Sequence, residues 1–135
     1  MKLYFRLKDC YNMALTPEET AILKDLKKER RVDIIDIQTY ACVKIAKYYN
    51  KLLREITYTT KADFVIYDRE YIESQVKEKD YRLFDCLKYS GLLTVCGAGY
   101  QFSSNKLKIE EFDLELYRKV KQRIKEVKQQ IKQRG

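Results

Sequence analysis

The sequence contains no histidine. That removes the commonest general base, the Ser-His and Cys-His nucleophile pairs and every histidine-containing metal site. One proline and four glycines in 135 residues exclude a collagenous, linker-rich or disordered chain. There is no apolar run of about 18 residues, so no segment is long enough to span a membrane. The opening MKLYFRLKDC is too charged for the apolar stretch of a secretory signal, and a cytoplasmic chain is expected. The four cysteines, Cys10, Cys42, Cys86 and Cys96, are far apart and include no Cys-x-x-Cys pair. Zinc therefore lacks its usual ligand spacing, a redox motif is absent, and buried thiols are expected. Glu126-Val127-Lys128 has the form of the end of a metal-dependent nuclease motif but no strand carboxylate near it, and Asp63 and Asp68 read as caps. No catalytic residue, metal or cofactor is expected.

What is present is enough for a core. Hydrophobic residues make up 45% of the chain, with twelve Tyr and five Phe, which fits one domain with at most an appended element. The tyrosines are spread over every element, so they read as core and rim residues rather than a base-stacking platform. Lys and Arg outnumber Asp and Glu by 28 to 20, a net +8 that favours polyanionic partners. This excess is local. Residues 117–135 hold eight basic residues against Glu126 alone, a net +7, and leave +1 for everything before them. The globular part has to be read by pattern.

Leu3, Phe5 and Leu7 alternate with Tyr4, Arg6 and Lys8, the two-residue period of a half-buried strand. Thr16-Pro17-Glu18-Glu19 supplies a capping hydroxyl, a first-turn proline and a carboxylate three residues after the cap, so a helix starts there and ends in the charged run Lys27 to Arg31. Ile37, Ala41, Ile45, Tyr48, Leu52 and Ile56 recur at steps of three and four, predicting a long helix from about Asp36 that ends at Thr57-Tyr58-Thr59-Thr60. Residues 63–67 form a short strand, Asp68 caps a short helix from Arg69 to Val76, and Asp80 caps a helix from Tyr81 to Tyr89. Leu92 to Cys96 and Tyr100 to Ser104 are strand-like around a Gly97-Ala98-Gly99 turn.

This order, long helix, strand, short helix, turn, helix and hairpin, resembles the winged helix-turn-helix DNA-binding proteins over residues 36–104. Leu87-Lys88-Tyr89-Ser90-Gly91-Leu92-Leu93 matches the family's Leu-x-x-x-Gly-Leu-aliphatic ending, and the Gly97 to Gly99 turn matches its wing. Gly91 can adopt the left-handed conformation that stops a helix. With Leu83, Phe84 and Leu87 packed inward, the helix turns Arg82, Asp85 and Tyr89 outward, flanked by Tyr81 and Lys88. The resemblance implies an α+β winged-helix domain over 36–105, with a strand-helix extension at 1–35 and a long amphipathic helix at 106–135. It further implies double-stranded DNA binding by Lys79, Tyr81, Arg82, Asp85, Lys88, Tyr89, Lys106 and Lys108, in a transcription regulator of the kind found in archaea and their viruses. Arg82 would face a guanine edge and the lysines phosphates. The other reading is a winged helix that only docks on protein, as an adaptor in a transcription, replication or defence complex. The segment 77–89 carries a net charge of only +1 and the wing turn none.

The tail has its own pattern. Ile109, Phe112, Leu116, Val120, Ile124, Val127 and Ile131 fall at steps averaging close to the 3.67 of an eleven-residue repeat. So narrow a stripe needs a partner, and the expectation is a pairing helix that makes the chain a homodimer.

Overall fold

The computed structural model describes residues 10–56, 66–103 and 107–134. The expected strand at residues 3–8, the helix end at 57–60, most of the strand at 63–67, and Ser104 and Lys106 lie outside these residues. The described fold is α+β, with six α-helices around a three-stranded antiparallel sheet and a long helix at the C-terminal end.

A single turn, α1 (Tyr11–Ala14), leads into α2 (Pro17–Lys28). The Thr16 hydroxyl accepts the Glu19 N–H at 3.1 Å, and the Glu19 carboxylate accepts the Thr16 N–H at 3.0 Å, so two otherwise orphaned donors are satisfied at once. The central helix α3 (Ile34–Ile56) begins two residues before the expected start. Asp33 and Asp36 accept each other's N–H at 2.9 and 3.0 Å and fix the start there.

Helix α3 is buried nearly all round. Beyond the expected stripe, Tyr40, Val43, Ala46, Tyr49 and Leu53 are also inside, because α1 and α5 pack on α3 as well as α6. A helix apolar beyond one stripe is a core helix rather than a surface one. Its buried Asn50 is satisfied by backbone: the side-chain amide donates to the Leu107 carbonyl at 2.9 Å and accepts the Leu107 N–H at 2.8 Å. This pair anchors the chain where it leaves the sheet.

After β1 (Ile66–Asp68), Asp68 caps α4 (Arg69–Ser74) by accepting the Tyr71 N–H at 3.1 Å. Helix α4 stops two residues short of the expected Val76. A 3₁₀ turn at Glu78–Asp80 precedes α5 (Tyr81–Ser90). Asp80, expected to cap α5, makes no side-chain cap bond; its own N–H is drawn into the 3₁₀ turn by the Lys77 carbonyl at 2.8 Å. Gly91 ends α5 at φ 83°, the left-handed conformation anticipated for it. Strands β2 (Leu93–Cys96) and β3 (Gly99–Phe102) then form a hairpin, and β3 lies between β2 and β1. At Gly99 a Cβ would meet the Tyr67 carbonyl at 2.5 Å, so only glycine lets β1 approach this closely. Leu93, Tyr100 and Phe102 face inward, where Phe102 meets Tyr49 of α3 edge-on at 5.8 Å and Tyr100 meets Phe84 of α5 at 5.7 Å.

The tail corrects two expectations. Its stripe does not lie on one helix: Ile109 belongs to a 3₁₀ turn (Ile109–Glu111), the chain is extended at Phe112, and α6 (Leu114–Arg134) starts where Asp113 accepts the Leu116 N–H at 3.0 Å. Nor is the whole stripe left open to a second chain. Val120 and Ile124 are buried with Tyr117 inside this one, where α6 lies along α3 and touches α2. Tyr117 stacks on Tyr40 at 5.3 Å between ring centres. Ile109, Phe112, Leu116 and Val127 are half-buried, and only Ile131 is open, at 56% exposed.

Candidate nucleic-acid interface

Helix α5 is held by its apolar side, with Cys86 and Ser90 buried beside it. Phe84 and Leu87 are buried, Leu83 is half-buried, and all face the core. At 100° per residue this turns Tyr81, Arg82, Asp85, Lys88 and Tyr89 to solvent, and all five are exposed, Tyr81 at 53% and Tyr89 at 61%. The Gly91 reversal sets the β2–β3 ribbon beside this helix. Ser103 closes the joint, bonding through its hydroxyl to the Gly91 carbonyl and through its N–H to the Leu92 carbonyl at 2.9 Å.

The face is less basic than its lysine and arginine suggest. Lys88 pairs with Asp85 at 3.3 Å and lies over the Phe84 ring at 5.1 Å, while Arg82 reaches the Leu15 carbonyl at 3.5 Å. Between α4 and α5 lies an open cleft of about 320 Å³ lined by Glu73, Val76, Tyr81, Phe84, Asp85 and Lys88. Glu73, on its wall, accepts the Tyr100 hydroxyl at 2.8 Å, and the Arg69 guanidinium lies 5.5 Å from the Tyr100 ring centre. Burial, and then this bond to Glu73, push the Tyr100 hydroxyl above its usual range. Lys79 is exposed on the 3₁₀ turn ahead of α5, and Lys108 is exposed after β3. The structure thus gathers Tyr81, Arg82, Asp85, Lys88 and Tyr89 on one helix face. Lys79 and Lys108 stand on separate segments, and Lys106 lies outside the described residues.

The second charged surface is α6. Arg118, Lys119, Lys121, Lys125 and Lys132 are exposed, and among the described residues none has a carboxylate within ion-pair distance. Glu126, the one acid after Glu115 on this helix, faces Arg31 at 4.0 Å. Tyr117 anchors the helix, with the Lys47 and Lys121 ammoniums 4.7 and 5.8 Å from its ring centre.

A polar cluster under α2 was not foreseen. The capping carboxylate of Glu19 also accepts from the Tyr40 hydroxyl and the Lys44 ammonium, each at 2.6 Å, and Lys44 donates to the Ala14 carbonyl at 3.3 Å. Burial pushes the Glu19 carboxyl up, but the bonds from Lys44, Thr16 and Tyr40 outweigh it and hold Glu19 below the usual carboxylate value. Burial and then the same carboxylate drive the Tyr40 hydroxyl strongly upward. The group ties α2 to α3 and is structural. Compared with protein-family models, with curated proteins and with solved structures, the chain matches none.

Proposed function

We propose that the chain is a winged helix-turn-helix protein that binds double-stranded DNA sequence-specifically, as a transcription regulator, with α5 in the major groove and β2–β3 as the wing. The observation that carries this reading is α5 itself: its apolar side is closed against the core while its polar side stays open beside a β-ribbon. The order α3, β1, α4, α5, β2, β3, with β3 in the middle of the sheet, supports it. On this reading Arg82 offers paired donors to a guanine edge, and Lys79, Lys108 and the tyrosine hydroxyls hold phosphates. The unmatched cations of α6 add a field that draws a polyanion from a distance and makes the affinity salt-dependent. Pairing of two copies, part of the same proposal, draws on α6 beyond Ile124, where Val127 is half-buried and Ile131 open.

One observation favours the second reading, a winged helix that docks on protein. Asp85 neutralises Lys88, and the wing turn Gly97-Ala98 bears no charge, which leaves Tyr81 and Tyr89 as a largely uncharged aromatic face. A duplex titration by fluorescence anisotropy at low and moderate salt separates the two. Arg82→Ala with Lys88→Ala is expected to weaken binding roughly tenfold or more, whereas Lys27→Ala with Lys28→Ala changes it little. Equal affinities for the two double variants would remove the α5 face. An intact chain that binds no duplex even at low salt leaves the protein-docking reading.

A further inference from the structure

The N-terminal segment and α5 meet at two sulfurs. Cys10, which opens α1, and Cys86, in the middle of α5, are both 0% exposed. The Cys10 thiol donates toward the Cys86 carbonyl at 3.9 Å, and the Cys86 thiol toward the Cys10 carbonyl at 3.7 Å. The contacts are reciprocal, so each side chain crosses to the other residue's backbone, and the two thiols are close enough to interact. Cys96 on β2 lies apart from this arrangement and contacts Gln101 at 3.7 Å. Among the described residues no cluster of three or more metal-ligating side chains includes Cys10 or Cys86.

We propose that Cys10 and Cys86 are a disulfide-forming pair that ties the N-terminal segment covalently to α5. The reaction is two-electron thiol–disulfide exchange with a small-molecule disulfide. One cysteine thiolate displaces half of the reagent and forms a mixed disulfide, and the second displaces the other half. The two cysteine sulfurs are oxidised, the reagent is reduced to two thiols, and the two cysteine protons end on those thiols. Burial, and then the adjoining Cys10, push the Cys86 thiol up to about 12, which keeps it protonated and slow to react in the closed fold. The bond therefore closes while the chain folds or opens, and once made it is shielded. It closes a long loop, from residue 10 to residue 86, and holds α5 at a fixed distance from the N-terminal segment whatever α5 binds. The inference stands apart from the DNA reading.

The test is refolding of the full chain from denaturant in a buffer of reduced and oxidised glutathione, which gives the reagent access to every sulfur. A Cys42→Ala, Cys96→Ser variant retains only the pair in question. The expected product of both chains is lighter than the reduced form by the mass of two hydrogens and yields one cross-linked peptide containing Cys10 and Cys86. It unfolds on the order of 10 °C higher than the reduced form, and dithiothreitol abolishes the rise. Natively refolded protein that keeps both thiols, carries glutathione on either, or links Cys42 or Cys96 in their place would overturn the proposal.

Discussion

Helices α5 and α6 are both amphipathic, both basic in sequence, and both packed on α3, yet they present opposite kinds of surface. On α5 the charges are matched within a turn, Lys88 by Asp85, between two exposed tyrosines. On α6 five exposed cations run along the helix with no carboxylate beside them among the described residues. The face beside the β-ribbon is nearly neutral, and most of the unpaired charge lies on the other helix. Phosphate contacts supply affinity without sequence information, whereas base edges supply the information. On the proposed reading, the two jobs fall on different helices.

The largest test of that division concerns what α6 is for. If its apolar side is part of the fold, Ile124→Ala removes buried atoms and destabilises the chain by about 2–4 kcal/mol, read by urea unfolding. The size of this loss is expected not to vary with protein concentration, because the partner of Ile124 is α3 of the same chain. Lys119→Gln with Lys125→Gln changes only the exposed side and leaves stability within about 0.5 kcal/mol. A loss that shrinks as concentration rises, and an Ile124→Ala chain that merely falls apart into stable monomers, would place Ile124 in the pairing surface instead.

The α5 region was legible in the sequence because its signals are local. Leu83, Phe84 and Leu87 set the inward face, Gly91 supplies the stop, and Gly97 lies in the turn of the ribbon, all within about fifteen residues. Helix α6 was legible as a helix but not in its placement. A stripe of Val120, Ile124 and Val127 declares that something covers it, and nothing in the spacing says whether that is another chain or α3. Ile109 and Phe112 fell in phase with the stripe by chance, which hid the break at Asp113. Tyr117 sits three residues before Val120 and fits the same periodicity, but it stands at the head of the basic segment 117–135. The Glu19 cluster shows the limit most clearly. The capping box lies within four residues and can be read, but Tyr40 and Lys44 are 21 and 25 residues away, and only the fold brings them to Glu19.

That cluster gives an intermediate effect, one that separates the framework from both charged faces. The Glu19 carboxyl is held below its unfolded value, so the stability it contributes is present above about pH 4.5 and is lost as pH falls through the lower folded value. Glu19→Gln keeps an acceptor for Thr16 but removes the charge that faces Lys44. The expected result is a loss of about 2 kcal/mol at neutral pH and a shallower decline of stability between neutral pH and pH 3, followed by thermal melts. Duplex affinity at neutral pH is expected to stay unchanged, since Glu19 is on neither face. A variant whose acid limb runs parallel to that of the parent would show that Glu19 is not the group that titrates.

The smallest effect is also the most discriminating, because it alters the charge of α5 without touching α6 or the core. Asp85 is exposed, and among the described residues it forms an ion pair only with Lys88, the next basic residue along the same face. An exposed pair three residues apart in a helix contributes only a few tenths of a kcal/mol to stability, so Asp85→Asn leaves folding nearly unchanged. Yet the substitution frees an ammonium and removes a negative charge at the place where a phosphate backbone would approach. If α5 meets DNA, Asp85→Asn is expected to tighten duplex binding severalfold at low salt, with the gain shrinking as salt screens the added charge. If α5 docks on protein and polyanions are held by α6 alone, the variant and its parent titrate alike at every salt concentration. Combining Asp85→Asn with Lys119→Gln and Lys125→Gln then separates the contributions: additive changes mean that both helices contact one duplex independently, and a gain that survives intact after the α6 charges are reduced assigns it to α5.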